Sequence, residues 1–150
     1  ELGDVERAVD LFQRVLPIRH ALTPEQVATY RTEPYVLASD VYAAPPWTGR
    51  GGWTWYTGAA AWAYRLGVEA ILGLRPWRGG WRLDPRIPAS WPEFSMVVRD
   101  GLTIVRIRVE NPNGVNSGVA RMLLDGAAID PPILPPLTDG RTHEVRVTMG

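Results

Sequence analysis

From Glu1 to about Leu74 the apolar residues recur at the three- and four-residue spacing of amphipathic helices. From Trp81 onward they fall in short runs rich in Val and Ile, cut by Gly, Pro, Asn and Asp. The pattern predicts a helical part over residues 1–76 and a β part over residues 77–150. Val5, Ala8, Val9, Leu11, Phe12 and Val15 form one helical stripe, which Pro17 breaks. Thr23, Pro24 and Gln26 have the order of a hydroxyl cap, a first-turn proline and a capping-box amide, so a short helix starts there and ends near Tyr30 or Arg31, before Pro34. Tyr35 to Ala44 reads as helix in preference to extended chain. Ala44 to Gly52 must be loop, because it holds Pro45, Pro46, Gly49, Gly51 and Gly52. A second strong helix is predicted from Thr57 or Gly58 to Leu72, with Ala61, Tyr64, Val68, Ile71 and Leu72 on its apolar side, Trp62 packed inward and Gly73 as its stop.

In the β part, Phe94, Met96 and Val98 mark one strand face, and Leu102, Ile104, Ile107 and Val109 a second with a disturbed register. Val119 to Leu124 and Val145 with Val147 mark two more. Asp100-Gly101, Asn113-Gly114, Asp125-Gly126 and Asp139-Gly140 are turn signals, and Pro131, Pro132, Pro135 and Pro136 suit only a loop or an edge. With no helix between the strands to carry a crossover, the expected architecture is an antiparallel sheet or small sandwich, not a parallel sheet. Its size predicts that it leans on the helical part through Trp77, Trp81 and Trp91.

Composition narrows the function classes. The 150 residues carry 16 basic and 16 acidic side chains, and every basic one is arginine, so no net field favours nucleic acid. Cysteine is absent and His20 and His143 are the two histidines, which excludes disulfides, thiolate metal sites and a histidine-rich metal centre. No apolar run reaches membrane-span length. The opening residues read as a helix already under way, as in a piece of a longer protein.

The chemistry concentrates in RGGWTWYTG, Arg50 to Gly58, where a glycine-rich loop feeds a helix through aromatic rings. Unpaired N–H groups at a helix start suit an anion, with Thr57, Gly58 and Arg50 as the candidates. The plainer reading makes Thr57 a simple helix cap. Trp47, Trp53, Trp55 and Tyr56 offer flat faces with polar edges, suited to sugar rings as well as to core packing. Glu33 and Asp40 are the nearby carboxylates, but Pro34 interrupts the segment between them, so a catalytic pair is disfavoured and Glu33 reads as an acceptor for sugar hydroxyls or a loop anchor. His20 reads as a structural hydrogen-bonding residue, and Asp84, Asp100, Asp125 and Asp139 as turn residues.

The run EPYVLASDVYAAPPWTGRGGWTWYTGAAAWAYRLGVEAILGL, with WRLDPRIPASWP and RVENPNGV beyond it, closely resembles the C-terminal part of the catalytic domain of glycoside hydrolase family 94. Within that family it is similar to the phosphorylase-like region of cyclic β-1,2-glucan synthases. The resemblance implies the terminal helices of an (α/α)6 barrel followed by a small antiparallel β-sandwich or jelly-roll tail. It implies inverting phosphorolysis: an aspartate protonates the glycosidic oxygen while inorganic phosphate, the co-substrate, attacks the anomeric carbon. The family's phosphate-binding Thr-Gly falls on Thr57 and Gly58, with Arg50 and His20 as further candidates. Glu33, Trp47, Trp53, Trp55 and Tyr56 become candidate sugar contacts.

Three departures accompany the match. Leu16 stands where the family has asparagine before Pro17, Trp47 where the synthases commonly have histidine, and Ala38 where disaccharide phosphorylases tend to have glutamine. No residue corresponds to the catalytic aspartate, which is expected upstream, so the chain alone is expected to be inactive. No metal and no other cofactor is implied. The expected partners are a β-linked glucan and the rest of a parent polypeptide, a cytoplasmic domain of an inner-membrane synthase, and a homodimer stays open. The rival reading is a non-catalytic carbohydrate-binding or structural module; a hydrolase using water is a third.

Overall fold

The computed structural model describes residues 3–55 and 57–150, with Thr57 described by its backbone alone. Helix α1 spans Val5–Val15, a 3-10 turn follows at Pro17–His20, α2 spans Pro24–Tyr30 and α3 spans Thr57–Arg65. The last runs into a π-helical segment, Leu66–Ile71, where the Leu72 N–H reaches back five residues to the Gly67 carbonyl at 2.9 Å. Eight strands follow: β1 Leu74–Trp77, β2 Gly80–Leu83, β3 Glu93–Asp100, β4 Thr103–Glu110, β5 Arg121–Leu124, β6 Ala127–Ile129, β7 Ile133–Leu134 and β8 Thr142–Thr148. The chain divides into two compact units, one of residues 7–66 and one of residues 67–150 with the first few residues of the chain.

The expected barrel helices and antiparallel sandwich are not what forms. Among the described residues, three short α-helices precede two open sheets, ordered β1-β2-β7 and β3-β4-β8-β5-β6, neither closed into a barrel. The flaw in the sandwich expectation is β8. It pairs parallel with β4, Val105 opposite His143 and Val109 opposite Val147, and antiparallel with β5. A parallel pair needs a long crossover, and that connection is built here from β5, β6, β7 and their loops instead of a helix.

The predicted helix over Tyr35 to Ala44 is also absent. That segment folds back on the glycine-rich loop, with Ser39 N–H donating to the Trp53 carbonyl, Tyr42 N–H to Arg50 and Gly52 N–H to Asp40, around a bridge between Val41 and Gly51. Glycine gives these two segments room to meet: a Cβ at Gly51 would come 2.6 Å from the Thr32 methyl, and one at Gly52 would displace the Asp40 carboxylate.

Strand β4 is regular, not disturbed. Thr103, Val105, Ile107 and Val109 point inward, while Leu102 is an exposed turn residue and Ile104 takes the opposite face. The core of the larger unit is made from Leu74, Leu83, Ile87, Leu134 and Met149 together with the inward residues of β4, β5 and β8. Among the described residues, the large apolar side chains buried in residues 7–66 are Val9, Tyr30 and Val36. Trp62 and Tyr64, expected on the packed side of α3, are 70% and 71% exposed. Trp77 is largely exposed beneath the Arg78 and Arg82 guanidinium groups, and Trp81 and Trp91 are half-buried.

Candidate functional site

The hairpin-like fold of residues 39–53 against the end of α2 leaves a groove of about 1030 Å³. α2 begins as the sequence suggests: Thr23 Oγ1 accepts from the Gln26 N–H and Gln26 Oε1 accepts from the Thr23 N–H, with Pro24 in the first turn. It ends at Arg31 in a left-handed conformation, φ 54°, which turns the chain so that Arg31, Thr32 and Glu33 line the groove. The opposite wall is Trp47, Arg50 and Trp53, with Gly51 and Gly52 between them.

Four of the residues singled out by sequence thus share one groove: Glu33, Trp47, Arg50 and Trp53. The Arg50 guanidinium lies over the Trp47 ring, 4.9 Å from its centroid, which fixes a cation beside a flat apolar face. Among the described residues neither Arg50 nor the Glu33 carboxylate has a salt-bridge or side-chain hydrogen-bond partner. Among the described residues Thr32 Oγ1 is buried and has no protein partner. Arg31 donates from Nε to the Ala28 carbonyl at 3.0 Å, a restraint that steadies its guanidinium. The groove therefore combines two cations, one carboxylate, the hydroxyls of Thr32, Tyr42 and Thr54, and indole faces, a set that fits a polar ring bearing hydroxyl groups and an anion.

The other candidates are placed differently. Among the described residues the groove lining does not include His20, Trp55 or Gly58. His20 stacks on Tyr30 at 4.4 Å between ring centroids, and its Nε2 is 2.7 Å from the Arg14 carbonyl, so that nitrogen carries the proton and donates. Trp55 is exposed, adopts φ 68°, and meets Tyr35 edge-on at 6.1 Å. Gly58 lies in the first turn of α3 with open space where a Cβ would stand. Tyr56 and the Thr57 side chain lie outside the described residues. Asp40 is held against Gly52 and its backbone carbonyl accepts the Gly52 N–H.

Arg31, Thr32 and Tyr42 line the groove although the sequence did not mark them. The usable signal was a helix end at Arg31 two residues before Glu33. Among the described residues no set of three His, Asp or Glu side chains is placed to hold a metal ion, and no helix is long and apolar enough to cross a membrane.

With this groove in view, comparison with known proteins gives the class first. Residues 1–73 match the glycosyl hydrolase 94 superfamily, catalytic domain, so this segment is a piece of that family's catalytic domain. Its relatives include the cyclic β-(1,2)-glucan synthase NdvB of Rhizobium meliloti (strain 1021), 40% identical over 131 residues, 83% of this chain and 5% of that protein. The solabiose phosphorylase of Paenibacillus borealis is 32% identical over 98% of this chain and 19% of its own length. The N,N'-diacetylchitobiose phosphorylase of Vibrio furnissii is 30% identical over the whole chain and 18% of its own length. The chain thus spans less than a fifth of the length of each of these relatives.

Proposed function

We propose that this chain supplies part of the sugar and phosphate site of an inverting glycoside phosphorylase acting on β-1,2-glucan, within a longer polypeptide that provides the general-acid aspartate. The observation that carries the reading is the joint lining of one groove by Trp47, Trp53, Glu33 and Arg50, in a chain whose relatives are named as a glucan synthase and sugar phosphorylases. The indole rings take the apolar faces of glucosyl units, Glu33 accepts from their hydroxyls, and Arg50 adds positive charge beside them. Phosphate, the nucleophile, is held at the Thr57-Gly58 end by N–H donors of the α3 N-terminus, which bind it without protonating it.

The test uses the full-length polypeptide with β-1,2-glucan and inorganic phosphate, assaying release of glucose 1-phosphate. Thr57→Ala is expected to raise the phosphate KM by about tenfold, the scale of one lost anion contact, with the glucan KM little changed. Trp53→Ala is expected to do the reverse. No glucose 1-phosphate from the intact polypeptide, or glycan binding indifferent to phosphate, overturns the phosphorylase reading and leaves a hydrolase or a binding module.

A further inference from the structure

The β unit contains a buried histidine held between two carboxylates. His143 lies on the inward face of β8, with Nδ1 2.7 Å from Asp125 Oδ2 and Nε2 2.9 Å from Asp139 Oδ1. Asp125 belongs to the β5–β6 turn, and Asp139 to the loop that leads from β7 into β8. An ionised carboxylate only accepts hydrogen bonds, so satisfying both contacts requires both ring nitrogens to donate, which is the imidazolium. A neutral ring has one N–H. It must then present a lone pair to one of the two carboxylates.

We propose that Asp125, His143 and Asp139 form a proton-operated latch that fastens the loop of residues 135–139 to the β5–β6 turn when His143 is charged and releases the Asp139 side when it is not. The Asp139 side is the weaker. Asp125 engages β8 through both oxygens, Oδ2 to the ring and Oδ1 accepting the Glu144 N–H at 2.8 Å. Asp139 uses the same Oδ1 for the ring and for the Arg141 N–H at 3.0 Å, and its other oxygen is 3.8 Å from the exposed Arg141 guanidinium. The Gly140 N–H also donates to Thr103 Oγ1 at 2.9 Å, so release stops short of Gly140.

The charged groups around the ring are few. Strand β4 presents Thr103 and Val105 on this side, β5 contributes Leu124, and the Arg106–Glu144 ion pair lies on the opposite face of the sheet. Among the described residues, Asp125 and Asp139 are therefore the charged groups that act on the ring, with Arg141 reaching it only through Asp139 and burial opposing the charged form. The hydrogen bonds to Asp125 and then Asp139 raise His143 above its ordinary value, while the same bonds hold both carboxylates below theirs. The sign follows: the histidine contribution is complete below about pH 6.5 and is lost as pH rises through the raised value. The carboxylate contributions are present above about pH 4 and are lost as pH falls through the lowered values.

The test is a nitrogen-detected NMR titration of the whole chain from about pH 5 to about pH 9, the range in which imidazole groups titrate. His143 is assigned by loss of its signals in His143→Gln, and amide exchange is read in parallel as protection factors. The latch predicts two protonated ring nitrogens at neutral pH and a neutral form that keeps the proton on Nδ1. Protection of the Arg141 N–H, which donates to Asp139 Oδ1, should fall by roughly tenfold as the ring discharges, with Val145 and Val147 unchanged. Asp139→Asn should lower the His143 titration point and remove the pH dependence of that exchange. A ring titrating at or below the ordinary value, or loop exchange indifferent to ring charge, overturns the latch. The wild-type titration decides this even if a variant fails to fold.

Discussion

Gly73 shows how much a single missing side chain permits. It sits two residues after the π-helical segment with φ 78°, where its carbonyl accepts the Asp84 N–H at 2.9 Å and the Ile71 carbonyl accepts the Arg86 N–H at 2.8 Å. A Cβ there would run into the backbone of Asp84 and Pro85. The backbone conformation alone costs a side-chain-bearing residue about 1–3 kcal/mol, and the clash adds to it. Gly73→Ala is therefore expected to destabilise the unit of residues 67–150 by at least about 2 kcal/mol, measured by denaturant titration. A loss below about 1 kcal/mol contradicts this. The sequence marked Gly73 as a helix stop, which follows from its position after an apolar stripe. That it is also the floor beneath Asp84 depends on a contact eleven residues away, which no local pattern records.

The same division between local and distant information holds for whole elements. Helix α2 was legible because its signals are contiguous: Thr23, Pro24 and Gln26 make their bonds within one turn. Thr23→Ala removes the acceptor for the Gln26 N–H and is expected to cost about 1 kcal/mol. Loosening of α2 also moves Arg31, Thr32 and Glu33 at its end, so weaker glycan binding should accompany the loss in thermal melts and titrations. Unchanged binding at reduced stability would separate the groove from the helix. The Asp125-Gly126 turn was legible for the same reason, with positive φ at both residues joining β5 to β6. The parallel β4–β8 pairing was not, since it joins segments more than thirty positions apart and the alternation of apolar residues is identical in either direction. Nor was the irregular, folded-back course of Tyr35 to Ala44, where hydrogen bonds to Arg50, Gly52 and Trp53 outweigh a weak helical spacing. The candidate site was half legible. Aromatic and glycine density pointed to Trp47, Arg50 and Trp53, whereas Arg31 and Thr32 enter the groove only because α2 ends where it does.

Across the molecule, apolar burial is unevenly shared. The unit of residues 67–150 encloses Leu83, Ile87, Val109, Met122, Leu134, Val147 and Met149 almost completely, between strands whose ladders satisfy their backbone groups. Residues 7–66 bury Val9, Tyr30 and Val36 and leave Leu11, Leu22, Tyr35, Trp53, Trp62 and Tyr64 more than half exposed. Sixty residues already lie near the size at which a single core barely offsets chain entropy, and a core this small falls short of it. Residues 67–150 produced alone should therefore unfold in one cooperative transition by circular dichroism and calorimetry. Residues 7–66 produced alone should show helical signal but no cooperative transition, and should bind a hydrophobic dye. A sharp thermal transition from the shorter piece would mean that its aromatic surface stabilises it in a way burial does not account for. Its absence would mean that the groove keeps its geometry only while the segment stays covalently joined to the rest of the chain.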